Sequence, residues 1–375
     1  MFKRFVGIVK KEFIELLRDK LALLLIFIAP VLVIFLEGYG LVLDVKKIPL
    51  AFLDYDKSKL SREYINSFVN SEYFKLYKLV NNYKEAEELI KKGGIRALIV
   101  IPPDFSRKLY KWQNVQVQIL VDGTYPNRSQ IIKGYVSAIN SKFNMKLLQN
   151  YAETFGKEIK FPIEIEMRAW YNPALESKNF IMPGELVTIL CFYPILISCL
   201  AIVREKELGS IFNFYCSPAR PWEIVLGKAI PYIVVSFLTY LILFFITVFV
   251  FKTKFIGNFI ALSIGSFLYL SCTVGLGFLI SSFTKTQITA MLLAFVLAVL
   301  PSYLYSGYLC PISSMDLSGQ IMSKFIPATY FLKVVRGIYL KGLGLGFYIN
   351  NLFYLCLYAF IVYTLTILRF KKRIG

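Results

Sequence analysis

The stretch 203-VREKELGSIFNFYCSPARPWEIVLGK-228 sets a charged, proline-containing interval between two long apolar runs. What surrounds it fixes the solvent. Of the 375 residues, 57% are hydrophobic, 16% aromatic and only 18% charged, too apolar for a water-soluble chain of this size. Apolar runs occupy 21–36, 182–203, 229–251, 257–280, 288–310 and 347–368. Most approach the ~20 residues that cross ~30 Å of hydrocarbon. Six spans place both termini on one side, and the interval 203–228 joins the second span to the third.

Lys and Arg number 43 against 24 Asp and Glu, a net charge of +19. In a nucleic-acid binder such an excess gathers on one face. Here it follows topology. With the termini inside, fifteen cations, among them Lys3, Arg4, Arg204, Lys228 and Arg373, lie in the short inner segments, against six in the outer ones: Lys252, Lys254, Lys324, Lys333, Arg336 and Lys341. The positive-inside rule therefore puts both ends in the cytoplasm and predicts no nucleic-acid partner.

A cleavable signal has a short basic region and small residues after its core, whereas this first core follows twenty residues and ends in 37-EGYG-40, which reads as a retained anchor. Before it, Phe2, Phe5, Val6, Val9, Phe13, Leu16 and Leu17 recur at helical spacing between basic residues. The pattern predicts an amphipathic helix over 1–20, lying on the inner membrane surface and drawn to anionic lipid, or else a cytosolic extension of the span over 21–43. From 44 to 180 the pattern changes to strands 48–56, 74–80, 95–105, 115–125 and 163–173 alternating with helices 58–70, 82–94 and 127–151. That alternation predicts an extracytoplasmic α/β domain inserted into an α-helical polytopic membrane protein, whose second to sixth spans fill 181–375.

The chain contains no His, the commonest general base and metal ligand. Its six Cys all lie in or beside the spans, dispersed, so neither a disulfide framework nor a zinc site is expected and an apolar role is preferred for each. The pair 227-GK-228 is not a phosphate loop, which needs Gly where Trp222 stands and Ser or Thr where Ala229 stands. No catalytic, cofactor-binding or metal-binding residue is therefore assigned. Transport driven by an ion gradient needs ionisable groups at membrane depth, and here Glu37 and Glu185 are the candidates. Glu185 is read as an interfacial carboxylate at a helix start in preference to a gating residue.

Within 203–228, Arg204, Glu205, Lys206 and Glu207 form a polar cluster, Gly209 ends or kinks the helix, and 211-IFNFYC-216 offers aromatics before the break at 217-SPARP-221. Exposed apolar residues flanked by charges mark a protein contact, the alternative being a helix resting on lipid. The stretch resembles the corresponding segment of permease subunits of type-2 ABC exporters, with Arg204, Glu205, Lys206, Glu207, Gly209, Ser210, Pro218, Leu226, Gly227 and Lys228 in the family's places and Ser210 where Thr is more usual. A second segment, 306–342, is similar to the family's outer segment through Pro311, Met315, Pro327, Tyr330, Arg336 and Gly342.

The resemblance implies that 204–228, with Phe212 and Phe214 exposed, is the coupling region receiving motion from a cytoplasmic ABC ATPase, which binds the ATP and Mg. It further implies a homodimer or heterodimer of permeases in a bacterial-type plasma membrane, an outer gate within 306–345, and a periplasmic adaptor as a further partner. Closure of the ATPase pair would push on 206–217 and change span packing. Pro231 and Pro301 give hinges or fixed bends. Gly275 and Gly277 form no GxxxG pair and are read as packing. Arg336 is read as snorkelling to the interface, ahead of an anchor to lipid phosphate or to the outer domain. Aromatic-rich spans suit an amphiphilic substrate such as a drug or lipid. A membrane-anchored ligand sensor or scaffold, and a lipid-modifying enzyme, are the competing readings.

Overall fold

The amphipathic pattern of the first residues becomes helix α1, Phe2–Arg18. It stops at Asp19, whose extended backbone and carboxylate, accepting from the Leu21 and Ala22 N–H groups at 3.0 and 3.2 Å, cap the next helix. The structure, a computed structural model, describes residues 2–40, 47–124, 126–154, 170–172, 176–212 and 216–370. It divides into two units, one of 1–42 with 168–375, the other of 43–167.

In the first unit six helices among the described residues are long and apolar enough to cross a membrane: α2 Lys20–Gly40, α7 Ser177–Glu207, α8 Pro221–Val250, α9 Phe259–Phe283, α10 Gln287–Tyr305 and a last one, 346–369. Helix α7 is central, with 83% of its apolar window buried, against 17% for α2 and for the last span. The outer faces of those two remain apolar, as lipid requires. Helix α9 lies so close to α7 that a Cβ on Gly277 would come within 2.0 Å of Ser198 Oγ and 2.4 Å of the Ile195 carbonyl oxygen. Gly277 is therefore a close-approach residue without any GxxxG partner. Two π-helical turns, Leu24–Ile28 and Phe295–Val299, sit just before Pro30 and Pro301. Proline has no N–H to give the preceding turn, and the wider turn absorbs the mismatch.

Between α10 and the last span run two short helices, α11 Leu317–Lys324 and α12 Pro327–Lys341. The buried face of α12 joins the span core, where Phe331 stacks on Tyr269 of α9 at 4.3 Å. The last span contains α13, Ile349–Arg369. All six cysteines are free: Cys191, Cys199 and Cys272 are buried, whereas Cys216, Cys310 and Cys356 are exposed, Cys356 on the apolar last span.

The second unit carries strands β1 Ile48–Asp54, β2 Phe74–Leu79, β3 Ala97–Ile101 and β4 Gln118–Val121 in the order β2-β1-β3-β4. The first three are parallel and β4 is antiparallel to β3. Period-2 alternation sorts the faces. Leu50, Phe52, Ile99 and Ile101 pack on helices α3 Lys59–Val69 and α6 Pro126–Thr154; Ala51, Leu53, Leu98 and Val100 pack on α4 Tyr83–Lys91. A short α5, Phe105–Tyr110, follows β3. The strand expected over 163–173 falls mostly outside the described residues. The unit's far boundary at 167, with α7 starting at Ser177, assigns the end of the 44–180 interval to the membrane unit.

Candidate functional site

The end of α7 carries Arg204, Glu205, Lys206 and Glu207. Successive helical side chains point about 100° apart, and these four reach different elements. Arg204 pairs with Asp19 at the junction of α1 and α2. Glu205 Oε1 accepts from Lys228 of α8 at 2.9 Å and from Lys11 of α1 at 3.3 Å. The ammonium of Lys206 donates to the Ser281 and Thr284 carbonyls at 2.5 and 3.0 Å, satisfying the end of α9. Glu207 accepts from the backbone N–H of Gln287 at 2.7 Å and from its side chain, which caps the start of α10. Four residues thus tie α7 to α1, α8, α9 and α10 at this end.

Lys228 is 2% exposed, as is its partner Glu12 of α1 at 2.6 Å. Such a pair persists in a dry site only because each charge is met. Gly227 explains its own place: a Cβ there would come within 2.9 Å of Ile8, so α1 can lie against α8 only over glycine. Burial pulls the Lys11 ammonium down, but Glu12, Glu205 and Glu15 around it outweigh that and hold it above its ordinary value. The carboxylates of Glu12, Glu15 and Glu205 approach one another as closely as metal ligands do. Two ammonium groups already stand among them, so the trio does not call for a cation.

After α7, Gly209 takes φ +73°, reversing the chain where a side chain would be strained. Ile211 is buried while Leu208 and Phe212 are 72% and 49% exposed. Phe214 lies outside the described residues. Ser210 Oγ donates to the Glu205 carbonyl at 3.4 Å, and the Pro218 carbonyl accepts from Arg4 at 2.9 Å. Of the charged residues read from the sequence as a docking surface, Arg204 and Glu207 remain exposed and Glu205 and Lys206 are half-buried, each with a partner within this unit, and Leu208 and Phe212 beside them are exposed.

Near the other end of α7, Glu185 is fully buried and is no interfacial cap. Tyr308 donates to its Oε1 at 2.5 Å and Thr188 to its Oε2 at 3.1 Å. The Tyr303 hydroxyl lies 3.4 Å from Glu185 Oε2 and 3.3 Å from Glu37 Oε1, bringing the two carboxyl groups of α7 and α2 together. Arg336 does not snorkel. Its guanidinium donates to the Gly307 and Tyr308 carbonyls at 2.9 and 3.1 Å and lies 4.3 Å over the Phe180 ring, so it holds the turn that aims Tyr308. Pro311 and Met315 flank a short turn. Pro327 opens α12, and Tyr330 donates to the Lys324 carbonyl at 2.8 Å; these four are shaped around α11 and α12, apart from the Glu185 cluster.

Glu12, Asp19, Gln287, Tyr303 and Tyr308 complete these clusters and carry no motif of their own. Their signal was the second half of each pair: Lys228 in an apolar run demands an anion, and Glu185 a donor.

Six apolar helices around a polar hub, with a small sheet unit inserted after the first, define a multi-pass membrane protein of the permease class. The family described as ABC-2 family transporter protein matches residues 20–368, and the chain belongs to it as a type-2 ABC permease. It is similar over 100% of its length and 98% of the other's, at 29% identity, to the probable multidrug ABC transporter permease YbhS of Escherichia coli strain K12. The probable multidrug ABC transporter permease YbhR of that strain is 29% identical over 94% of each chain. The linearmycin resistance permease protein LnrN of Bacillus subtilis strain 168 is 22% identical over 85% of this chain and 86% of its own. Nothing in these likenesses favours the sensor or lipid-enzyme readings.

Proposed function

We propose that the chain exports an amphiphile such as a drug or lipid, paired with a second permease and energised by separate cytoplasmic ATPase subunits that dock on 208–219. Names given to YbhS and YbhR point to multidrug substrates, and aromatic-rich spans suit them. In this reading the termini are cytoplasmic, the membrane is a bacterial inner membrane, and 44–180 is extracytoplasmic. ATP and Mg belong to the partner.

The observation that carries the reading is the hub at the end of α7. A push on the exposed Leu208 and Phe212 reaches Glu205 and Glu207 within a few residues, and from there α1, α8, α9 and α10 move with α7. Coupling requires different contacts in two global states, and a hub of directional polar contacts supplies a rigid unit for such a change. Rearrangement at Glu37, Glu185, Tyr303, Tyr308 and Arg336 would then open the outer side, with Pro311, Met315, Pro327 and Tyr330 shaping the gate.

Purification in mild detergent from the native membrane, with mass identification of co-purifying chains, tests it: an ATP-binding cassette subunit in stoichiometric amount is expected. Phe212→Arg is predicted to lower the ATPase recovered about tenfold or more, since a charge at an apolar contact costs more than ~1.4 kcal/mol, with insertion unchanged. Recovery of a lone chain in several detergents would remove the exporter assignment.

A further inference from the structure

Behind α1 lies an open cleft of about 970 Å³, walled by α1, the start of α2, the end of α7 and the segment leading to Ala219. Its floor is apolar, made by Leu16, Leu21, Leu25, Ile197, Ala201 and Tyr232. Leu21, 64% exposed, leaves apolar surface uncovered beside charged groups. The acids on the rim are all engaged: Glu12, Glu15 and Glu205 by Lys11 or Lys228, and Asp19 by Arg204.

The cations are not balanced in the same way. Arg18 and Lys20 line the cleft without an ion-pair partner among the described residues, and Arg4 meets only the Pro218 carbonyl. The uncompensated charge at the mouth is therefore positive, and it stands directly over the first apolar turns of α2. An occupant must bring an anion to the rim and hydrocarbon to the floor. Free phosphate would leave the floor bare, and a cationic amphiphile would meet Arg18 and Lys20 unfavourably. The volume suits part of a lipid, within the ~300–1,000 Å³ of ligand pockets.

We propose that this cleft is a binding site for one anionic phospholipid, its phosphate on Arg18 and Lys20 and its acyl chains along α2 and α7. A lipid held there would wedge α1 against the hub, beside the segment that faces the ATPase. The inference needs the chain to be in a membrane but not the ATPase docking, so its failure would leave the exporter reading standing.

Native mass spectrometry of the full detergent-solubilised chain tests it, with dioleoyl-phosphatidylglycerol, dioleoyl-phosphatidylcholine of the same chains, and inorganic phosphate as separate probes. The expected result is one phosphatidylglycerol per chain surviving activation that strips phosphatidylcholine, with no phosphate retained. Arg18→Gln with Lys20→Gln should cut retention about thirtyfold, as expected from ~1 kcal/mol per basic residue at an anionic surface. Lys3→Gln with Lys10→Gln, on the same helix but outside the cleft, should leave it unchanged. Equal retention of the two lipids, retention of phosphate alone, or equal losses in both double variants would overturn the site.

Discussion

At the scale of single residues, Glu205 shows how a charge can be misread. In the sequence it stands among four charged residues after an apolar run, which is the pattern of a surface. In the fold its Oε1 serves Lys228 and Lys11, and Oε2 is buried without a hydrogen-bond partner among the described residues. Lys228 is held by both Glu12 and Glu205, so removing either carboxylate deprives the buried ammonium of one of these anionic partners, and Glu12→Ala and Glu205→Ala are each predicted to destabilise the chain by about 1–3 kcal/mol. Glu12→Ala with Lys228→Met should cost clearly less than the sum of the two single changes, read by thermal unfolding in detergent. Arg204→Ala should cost little, because its pair with Asp19 is solvent-exposed. What was legible here was residue type and spacing. The partners were not, because Glu12 lies far away in the chain and only the fold brings it to Lys228.

A second residue-scale prediction concerns Asp122 of the inserted unit. Hydrogen bonds from Thr124 and then the Arg96 guanidinium at 2.6 Å lower its carboxyl from 3.8 to about 2. Because the folded value lies below the unfolded one, the stabilisation is complete above ~pH 4 and is lost as pH falls toward ~2. Hydrogen exchange of β3 and β4 in the full chain should quicken across that window, and Asp122→Asn should flatten the change.

At the scale of elements, the spans, the amphipathic α1 and the strand-helix alternation were legible because each rests on a period in the sequence: long apolar runs, a 3.6-residue face, or a two-residue alternation. The outer segment was less so. Its buried α12 face and the Arg336 clamp depend on Phe180 and on the reversed turn at Gly307, φ +89°, which no local pattern announces. The contact of α7 with α9 was missed for the opposite reason: Gly277 matched no named motif, yet it faces Ser198 and Ile195 with no room for a methyl group. Gly277→Ala is predicted to cost about 2 kcal/mol through forced separation of those helices, and Gly275→Ala, whose nearest neighbours are side chains of Val362 and Tyr363 at 3.2 and 3.3 Å, clearly less. Thermal unfolding of the two variants side by side reads the difference.

At the scale of the whole molecule, the order of amphipathic helix, span, inserted unit and five further spans carried the family resemblance, and the match over 20–368 agrees with it. The division of labour near 203–228 was less legible. Charged residues tie the helices together, while the proposed docking falls to the exposed Leu208 and Phe212 beside them. The two roles make opposite demands on stability, which gives the account its most direct test: the melting temperature of Glu205→Ala in the purified permease with no ATPase present. The account predicts a fall of several degrees, because Glu205 ties Lys11 of α1 and Lys228 of α8 to α7. An unchanged melting temperature in Glu205→Ala, together with loss of the ATPase on purification, would make Glu205 a docking residue and contradict the hub.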